Sequence, residues 1–484
     1  MKKALLFLLA AALLCCAVAC RTNGGQPASS GTANTDTVVT DGETAPPLAY
    51  DQQRPDIDYN GMEYGIGGWI ERYKLDILSE EPDESGDFIN AATYRQYCAV
   101  EDKYSCKVKN YQLEPAQIEL AIDGGDSAVS AIVYQMAYFG AEFVLRGYCD
   151  DLFRYEQIDT TQPWWNQSAV ENLQTFGHLF MGFGDFVANH GITYVHSFFY
   201  NIQLAEDNHI SGIYETVDNG SWTLDKLEEY SKAVYRDVNG NQERDWDDVY
   251  GLGQSVACAG VFRTAFDQPV TERAADGRQE IVIDSEKFVD IVDRVRELCY
   301  STKSVWTSTW AEEGKIMPMF SQNQLLFYNG FLCNADQLRE MESDYGILPF
   351  PKWDEDQKEY YTPVRGDNYL MAIPISVPAE NREFVGNCTE MMAYYGYKYV
   401  RPAVYDVLLK EKVARDEEAK RMLDLLCSRI TVEWEFCHTN NTSFEFVLVN
   451  VLQQNVSWSS YYDRMIQGAT LLYDDIMDAY RALG

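Results

Sequence analysis

Six oxygen-bearing side chains recur at fixed spacing between Asp237 and Asp248. With Asp237 as position 1, Asn239 is 3, Asn241 is 5, Glu243 is 7, Asp245 is 9 and Asp248 is 12. This is the ligand spacing of a twelve-residue calcium loop, in which a hard cation gathers roughly six to eight oxygens. Such loops carry glycine at position 6 to make a sharp turn. This chain has Gln242 there, with Gly240 two residues earlier. The spacing predicts one structural Ca2+; the alternative is an acidic surface turn. A second set of residues suits a hydroxyl-rich ring, whose apolar C–H faces pack on aromatic side chains and whose hydroxyls pair with Asp, Asn or Arg. Trp69 follows the first predicted strand, next to Gly67 and Gly68, which allow close backbone approach. Open α/β sheets hold ligands at such carboxyl ends. Tyr134 and Trp434 are further aromatic candidates.

Catalytic constellations are sparse. The five histidines (His178, His190, His196, His209, His438) form neither HExxH nor a close pair one helical turn apart. There is no GxSxG elbow and no phosphate loop, and Gly65-Ile66-Gly67-Gly68 lacks the third glycine of a dinucleotide fingerprint. A glycosidase needs only two suitably spaced carboxylates, and among 75 acidic residues such a pair has no sequence signature.

The elements that must position these groups alternate. Strand-like Asp58–Ile70 precedes a helix and second strand in Gly86–Val108, a helix at Gln117–Gly125, a short apolar strand at Ala128–Tyr134 and a helix at Gly140–Leu152. Such alternation predicts a parallel α/β sheet. Thr193–Asn201 is a further aromatic strand. Thr223 can cap a helix whose Leu224, Leu227, Ser231 and Val234 share one face. A second amphipathic helix is expected at Ser285–Tyr300, with Phe288, Ile291, Val292, Val295 and Leu298 inward.

The ends and the charge set outer bounds. Lys2 and Lys3 precede an apolar run, Ala4–Val18, of signal-peptide length. Arg21 to about Pro55 is a Thr/Gly/Ser/Ala/Pro-rich spacer without apolar period. The remainder, to Gly484, is long enough for two domains. The net charge of −36 argues against nucleic acid and against an anionic membrane surface as partners. Beyond the signal lie nine cysteines (Cys98, Cys106, Cys149, Cys258, Cys299, Cys333, Cys388, Cys427, Cys437) without a CxxC pair. They read as small core residues, and their odd number leaves at least one thiol free or paired between chains.

Trp222-Thr223-x-Asp225-Lys226, the loop opening Asp237-x-Asn239-Gly240, and Asp248-Val249-Tyr250-Gly251-Leu252 resemble the large extracellular solute-binding lipoproteins of bacterial ABC importers. The resemblance is to the carbohydrate-binding type, related in fold to maltose-binding protein. Gly86-Asp87-x-Ile89-Asn90, Pro163-Trp164-Trp165, Gly184-Asp185 and Tyr345-Gly-Ile-Leu-Pro-Phe-Pro-Lys352 follow in that family's order. Ile202 departs from it by replacing a lysine after Tyr200-Asn201. Ala17-Val18-Ala19-Cys20 resembles a lipobox, which implies cleavage before Cys20 and its lipidation.

The resemblance implies a two-lobed periplasmic-binding-protein-like α/β fold, each lobe a mainly parallel sheet flanked by helices. Its divisions would be a signal peptide (1–19), a linker (20–55), a first lobe (56–185 plus 316–363) and a second (186–315 plus 364–484). It implies that Asp185 lies at the first crossing between lobes. Phe331, after Gly330, would stack on ligand, and Arg365 and Asp367 would sit in the loop that crosses back. Trp164, Trp165 and Trp222 would be structural, with Trp222 beneath the acidic loop. The implied protein is a monomer on the outer face of the cytoplasmic membrane that closes on a carbohydrate and docks on a permease, without catalysis. The alternatives are a surface-anchored carbohydrate-active hydrolase and a binder of peptides or another polar solute.

Overall fold

A computed structural model describes residues 49–68, 88–410, 417–438, 444 and 446–484. Trp69 and Cys20 lie outside these residues. The chain divides into Met1–Gln53 and Arg54–Gly484. The described part of the first unit is a short helix ending at Gln53; the sheets and cavities all belong to the second.

The strands of the second unit are β1 (Glu63–Gly68), β2 (Lys107–Gln112), β3 (Ala131–Gln135), β4 (His196–Asn201), β5 (Tyr250–Ser255), β6 (Thr271–Arg273), β7 (Gln279–Ile281), β8 (Val305–Ser308), β9 (Leu325–Phe331), β10 (Tyr345–Leu348), β11 (Thr362–Pro363), β12 (Tyr369–Ala372) and β13 (Ile430–Thr431). One sheet has the order β12-β3-β1-β2 and the other β10-β4-β9-β5-β8. In the first, β1 runs parallel to β2 and β3, and β12 adds antiparallel to β3. In the second, β5 runs parallel to β8 and β9, while β4 lies antiparallel between β9 and β10. The strands β3 (AIVYQ) and β4 (HSFFYN) are buried along their whole length, as expected of strands covered on both faces.

Sheet membership corrects one boundary. The segment 316–363 was expected in the first lobe. Instead, its strands β9 and β10 pair with β4, and 364–484 contributes β12 to the first sheet. The return crossing is therefore the stretch between β10 and β12. The apolar run in β9 reads the same in either sheet, because pairing partners leave no mark on a fully buried strand.

Helices cover both sheets. Phe88–Tyr104 packs on β2, Pro115–Asp123 on β1 and Met136–Leu145 on β3. Thr223 caps the helix Leu224–Val234, accepting from the Lys226 amide, and that helix buries Leu224, Leu227, Ser231 and Val234. Ser231 stands in the apolar row because the helix lies directly on β5. A Cβ at Gly251 would come within 2.1 Å of the Ser231 Cα. Ser285 caps Glu286–Arg296, which buries Phe288, Ile291, Val292 and Val295. These rows join Phe198, Leu252, Phe327 and Phe350 in the core of the second sheet.

Trp222 belongs to that core. Its ring meets Phe198 and Phe327, and its indole N–H donates to the Pro349 carbonyl at 2.9 Å. It does not underlie the acidic loop, where Trp246 and Trp306 meet instead. Trp164 and Trp165 are buried, and both donate to the Glu390 carboxylate. All nine described cysteines are free thiols. Among the described residues no helix is long and apolar enough to cross a membrane.

Candidate functional site

The carboxyl ends of β3, β5, β8 and β9 converge on one cavity of about 380 Å³. Ala137 follows β3, Ala257 and Gly260 follow β5, and Glu313 follows β8. Phe331 ends β9 opposite His196, the first residue of antiparallel β4. The cavity thus draws on both sheets, and its wall includes the return crossing, Pro363–Asp367. This is where open α/β sheets hold ligands.

The crossing is pinned at several points. The Arg365 amide donates to the Tyr194 carbonyl at 3.0 Å, and the Asn368 side chain donates to the same oxygen at 3.1 Å. The Ala137 amide donates to the Gly366 carbonyl at 2.9 Å, fastening the crossing to the helix after β3. The Arg365 guanidinium then lies 4.1 Å over the Phe331 ring, with its Nε 2.9 Å from Asp367 Oδ1. The Phe331 amide donates to Asn334 Oδ1 at 2.8 Å, fixing the ring's base. Three residues expected at the site, Phe331, Arg365 and Asp367, therefore form one cluster.

Burial sets the charges. It holds the Asp367 carboxyl above its ordinary value, although Arg365 beside it pulls the other way. It pulls the His196 imidazole down to about 3, with Arg365 adding to the effect, so His196 is neutral and meets Phe331 edge-on. The Cys258 thiol is pushed up to about 12 by burial and by Glu313. Glu433 accepts two bonds from Arg263 and one from Thr264. Cation, carboxylates and partly exposed rings in one concavity suit a polyhydroxylated ligand.

The other expected residues go elsewhere. Asp185 and Trp434 line a second, larger cleft of about 1110 Å³. Asp185 is buried there and held by Arg401, whose Nε and terminal nitrogen donate at 3.0 and 2.9 Å. Trp434 is buried, stacks on His438 at 3.5 Å and donates to Thr175 at 3.1 Å. The cleft abuts the cavity at Thr264, Thr431 and Glu433 but, among the described residues, receives none of the carboxyl ends of β3, β5, β8 or β9. Tyr134 is buried on β3, edge-on to Phe143, and lines neither concavity. The smaller cavity is therefore the better candidate.

Sequence reasoning missed His196, Glu313, Trp310, Phe436 and Phe446, all in the cavity wall. Trp310 and Phe446 are 48% and 41% exposed. The available signal was Val305–Ser308, a short β-branched and aromatic run with Trp310 two residues beyond its end.

The acidic loop is exposed and knitted to itself. Asp237 accepts from the amides of Gly240 and Gln242, and the Asn239 and Asn241 side chains donate to Asp245 at 2.9 and 2.7 Å. Those bonds hold the Asp245 carboxyl below its ordinary value. Gln242 takes the left-handed backbone that position 6 requires, at φ 63°. Asp248 is buried and accepts from the Val238 amide, and Glu243 is exposed. Among the described residues no three His, Cys, Asp or Glu side chains are grouped to hold a metal. A cation here would draw on Asn and main-chain oxygens as well.

The two mixed sheets flanked by helices define the two-lobed fold of periplasmic solute-binding proteins. Similar solved structures include UspC of M. tuberculosis, with a TM-score of 0.55 at 13% identity, covering 86% of this chain and 100% of that one. A cyclo/maltodextrin-binding protein complexed with maltotetraose gives 0.54 at 12%, covering 89% and 97%. A sugar transporter protein of Rhizobium etli in an open conformation gives 0.54 at 11%, covering 88% and 100%. No protein-family model matches the sequence, and no curated protein matches it.

Proposed function

We propose that the protein is a lipid-anchored solute receptor that captures a sugar or oligosaccharide in the Phe331–Arg365–Asp367 cavity and delivers it to an ABC importer. The observation that carries this reading is the convergence of strand ends from both sheets on one aromatic and charged cavity. Similarity to structures of a maltotetraose-bound protein and a sugar transporter supports the ligand class. Closure of the lobes about their crossings would bury the ligand, and the ligand would hold the closed state because it binds that state better. Cys20 would carry the anchor, on the outer face of the cytoplasmic membrane. No bond of the solute needs to break.

The test is calorimetry and thermal melting of the full-length chain against neutral sugars, oligosaccharides and short peptides. A sugar at about 100 times its Kd should add about 2.7 kcal/mol of stability. Peptide binding without sugar binding overturns the ligand class. Steady release of reducing ends from the same sugars overturns the non-catalytic reading.

A further inference from the structure

We propose that Trp310, Phe446 and Glu313 form a cation subsite in this cavity, and that the sugar it takes carries a protonated amine. The inference rests on the sugar-binding reading and names its ligand class.

Trp310 and Glu313 belong to one 3-10 turn, Trp310–Lys315, directly after the carboxyl end of β8. Side chains three apart on such a turn eclipse one another, and both residues line the cavity. Phe446 meets the Trp310 ring edge-on, with centroids 6.0 Å apart. Both rings are unusually exposed for aromatics of their size. No Lys or Arg among the described residues lies over either ring, whereas the face of Phe331 is already covered by Arg365.

The charges of the wall point the same way. Arg263 is taken up by Glu433, and Arg365 by Asp367. Glu313 is the third carboxylate in the wall; no ion pair joins it to a cation among the described residues, although the Arg365 guanidinium attracts it from a distance. Its Oε1 accepts from Ser255 Oγ at 3.4 Å and faces the Cys258 thiol at 3.9 Å. Its Oε2 has no protein donor among the described residues. With His196 and Cys258 neutral, the described residues of the wall carry one more carboxylate than guanidinium. An aromatic face beside a carboxylate is the chemistry that holds an ammonium, by cation–π attraction and a charge-assisted hydrogen bond. The same carboxylate repels the acid group of a uronic sugar.

The experiment is calorimetry of the full-length chain with the β-1,4 disaccharide of glucosamine, its N-acetylated counterpart, the glucose disaccharide of the same linkage, a galacturonate disaccharide and spermidine. The glucosamine disaccharide should bind at least about tenfold tighter than either neutral disaccharide. Glu313→Gln should weaken the glucosamine disaccharide by at least about tenfold and the neutral disaccharides by much less, so that the preference disappears. Trp310→Leu should weaken the amine-bearing ligand more than the neutral ones. Equal binding of amine and neutral sugars, unmoved by Glu313→Gln, overturns the subsite and leaves the sugar-binding reading intact. Tightest binding of galacturonate overturns the subsite too. Spermidine binding with no sugar binding keeps a cation site at Glu313 but overturns the amine-bearing sugar as its ligand together with the sugar-binding reading.

Discussion

The acidic loop at Asp237–Asp248 and the cavity around Arg365 are both crowded with oxygen and charge, yet they are built in opposite ways. The loop comes from one short stretch, faces solvent and satisfies its polar groups internally, with Asp237 and Asp245 each accepting at least two local bonds. The cavity comes from segments more than two hundred residues apart. It buries Asp367 and His196 and leaves Glu313 and the rim aromatics with unused binding capacity. A group already satisfied by its neighbours gains little from a ligand, because a new bond must replace an old one. On the proposed reading, the difference favours the cavity as the place of solute recognition and gives the loop a supporting role.

The largest test of that contrast is Arg365→Ala. It removes the cation beside a carboxylate that burial already disfavours. Breaking a wholly buried pair costs about 3–5 kcal/mol. Arg365 is 34% exposed, so a loss of about 2–3 kcal/mol is expected in chemical denaturation. Sugar affinity should fall about tenfold to a hundredfold, the range for one charge-assisted hydrogen bond. The double variant Arg365→Met, Asp367→Leu should recover most of the stability and none of the affinity, since replacing both partners by apolar groups is often neutral. If the double variant still binds sugar normally, the cavity is only structural and the contrast with the loop collapses.

Next in size is the response to acid. Burial pulls the imidazoles of His190, His196 and His438 down to about 3, against an ordinary value of 6.5. The folded state then binds fewer protons than the unfolded state between those values. Stability is fully present above about pH 6.5 and is lost as pH falls toward 3. Each histidine contributes on the order of a few kcal/mol to this loss. Asp185 and Asp367 work the other way, because burial raises their carboxyls; their contribution is present at low pH and is lost as pH rises through their folded values. The melting temperature should therefore fall steeply below about pH 6, and His190→Phe should flatten that fall. The loop carboxylate Asp245 is lowered, so its stabilising share is lost only as pH drops below the ordinary carboxylate range. An unchanged acid limb in His190→Phe would show that this imidazole is not held neutral.

Much of the frame was legible because helix faces and caps are written locally. Thr223 with Leu224, Leu227, Ser231 and Val234, and Ser285 with Phe288, Ile291, Val292 and Val295, stand where their spacing places them. The motifs Trp222-Thr223 and Pro349–Lys352, far apart in sequence, bond to each other through the Trp222 indole and paired backbone at Thr223 and Lys352. Sheet membership was not legible, since the Leu325–Tyr328 run that opens β9 is apolar and fits any buried position. The site was read in part. Phe331, Arg365 and Asp367 came from the resemblance, whereas Trp310, Glu313 and Phe446 lie beyond short elements whose only common feature is where the fold brings them. Tyr134 packs in the core and Trp434 lines the larger cleft, because an aromatic at a strand or helix end is as readily core as ligand platform.

The smallest expected effect concerns the loop itself. The left-handed Gln242 supplies the turn that glycine would otherwise make, and Asn239, Asn241 and Asp245 already point toward one another. A Ca2+ ion bound by Asp237, Asn239, Asn241, Asp245 and Asp248, with the Glu243 carbonyl, would replace those mutual bonds with cation–oxygen contacts. At about 100 times its Kd it would add about 2.7 kcal/mol, which in a chain of this size is a rise of roughly 2–3 °C in melting temperature. Asp245→Ala should abolish the rise. Sugar affinity should stay the same with calcium or with chelator, because the loop contributes no residue to the cavity. A melting temperature unmoved by chelator leaves the loop a self-bonded acidic turn. A calcium-dependent change in sugar affinity would couple the two regions and break the separation drawn between them.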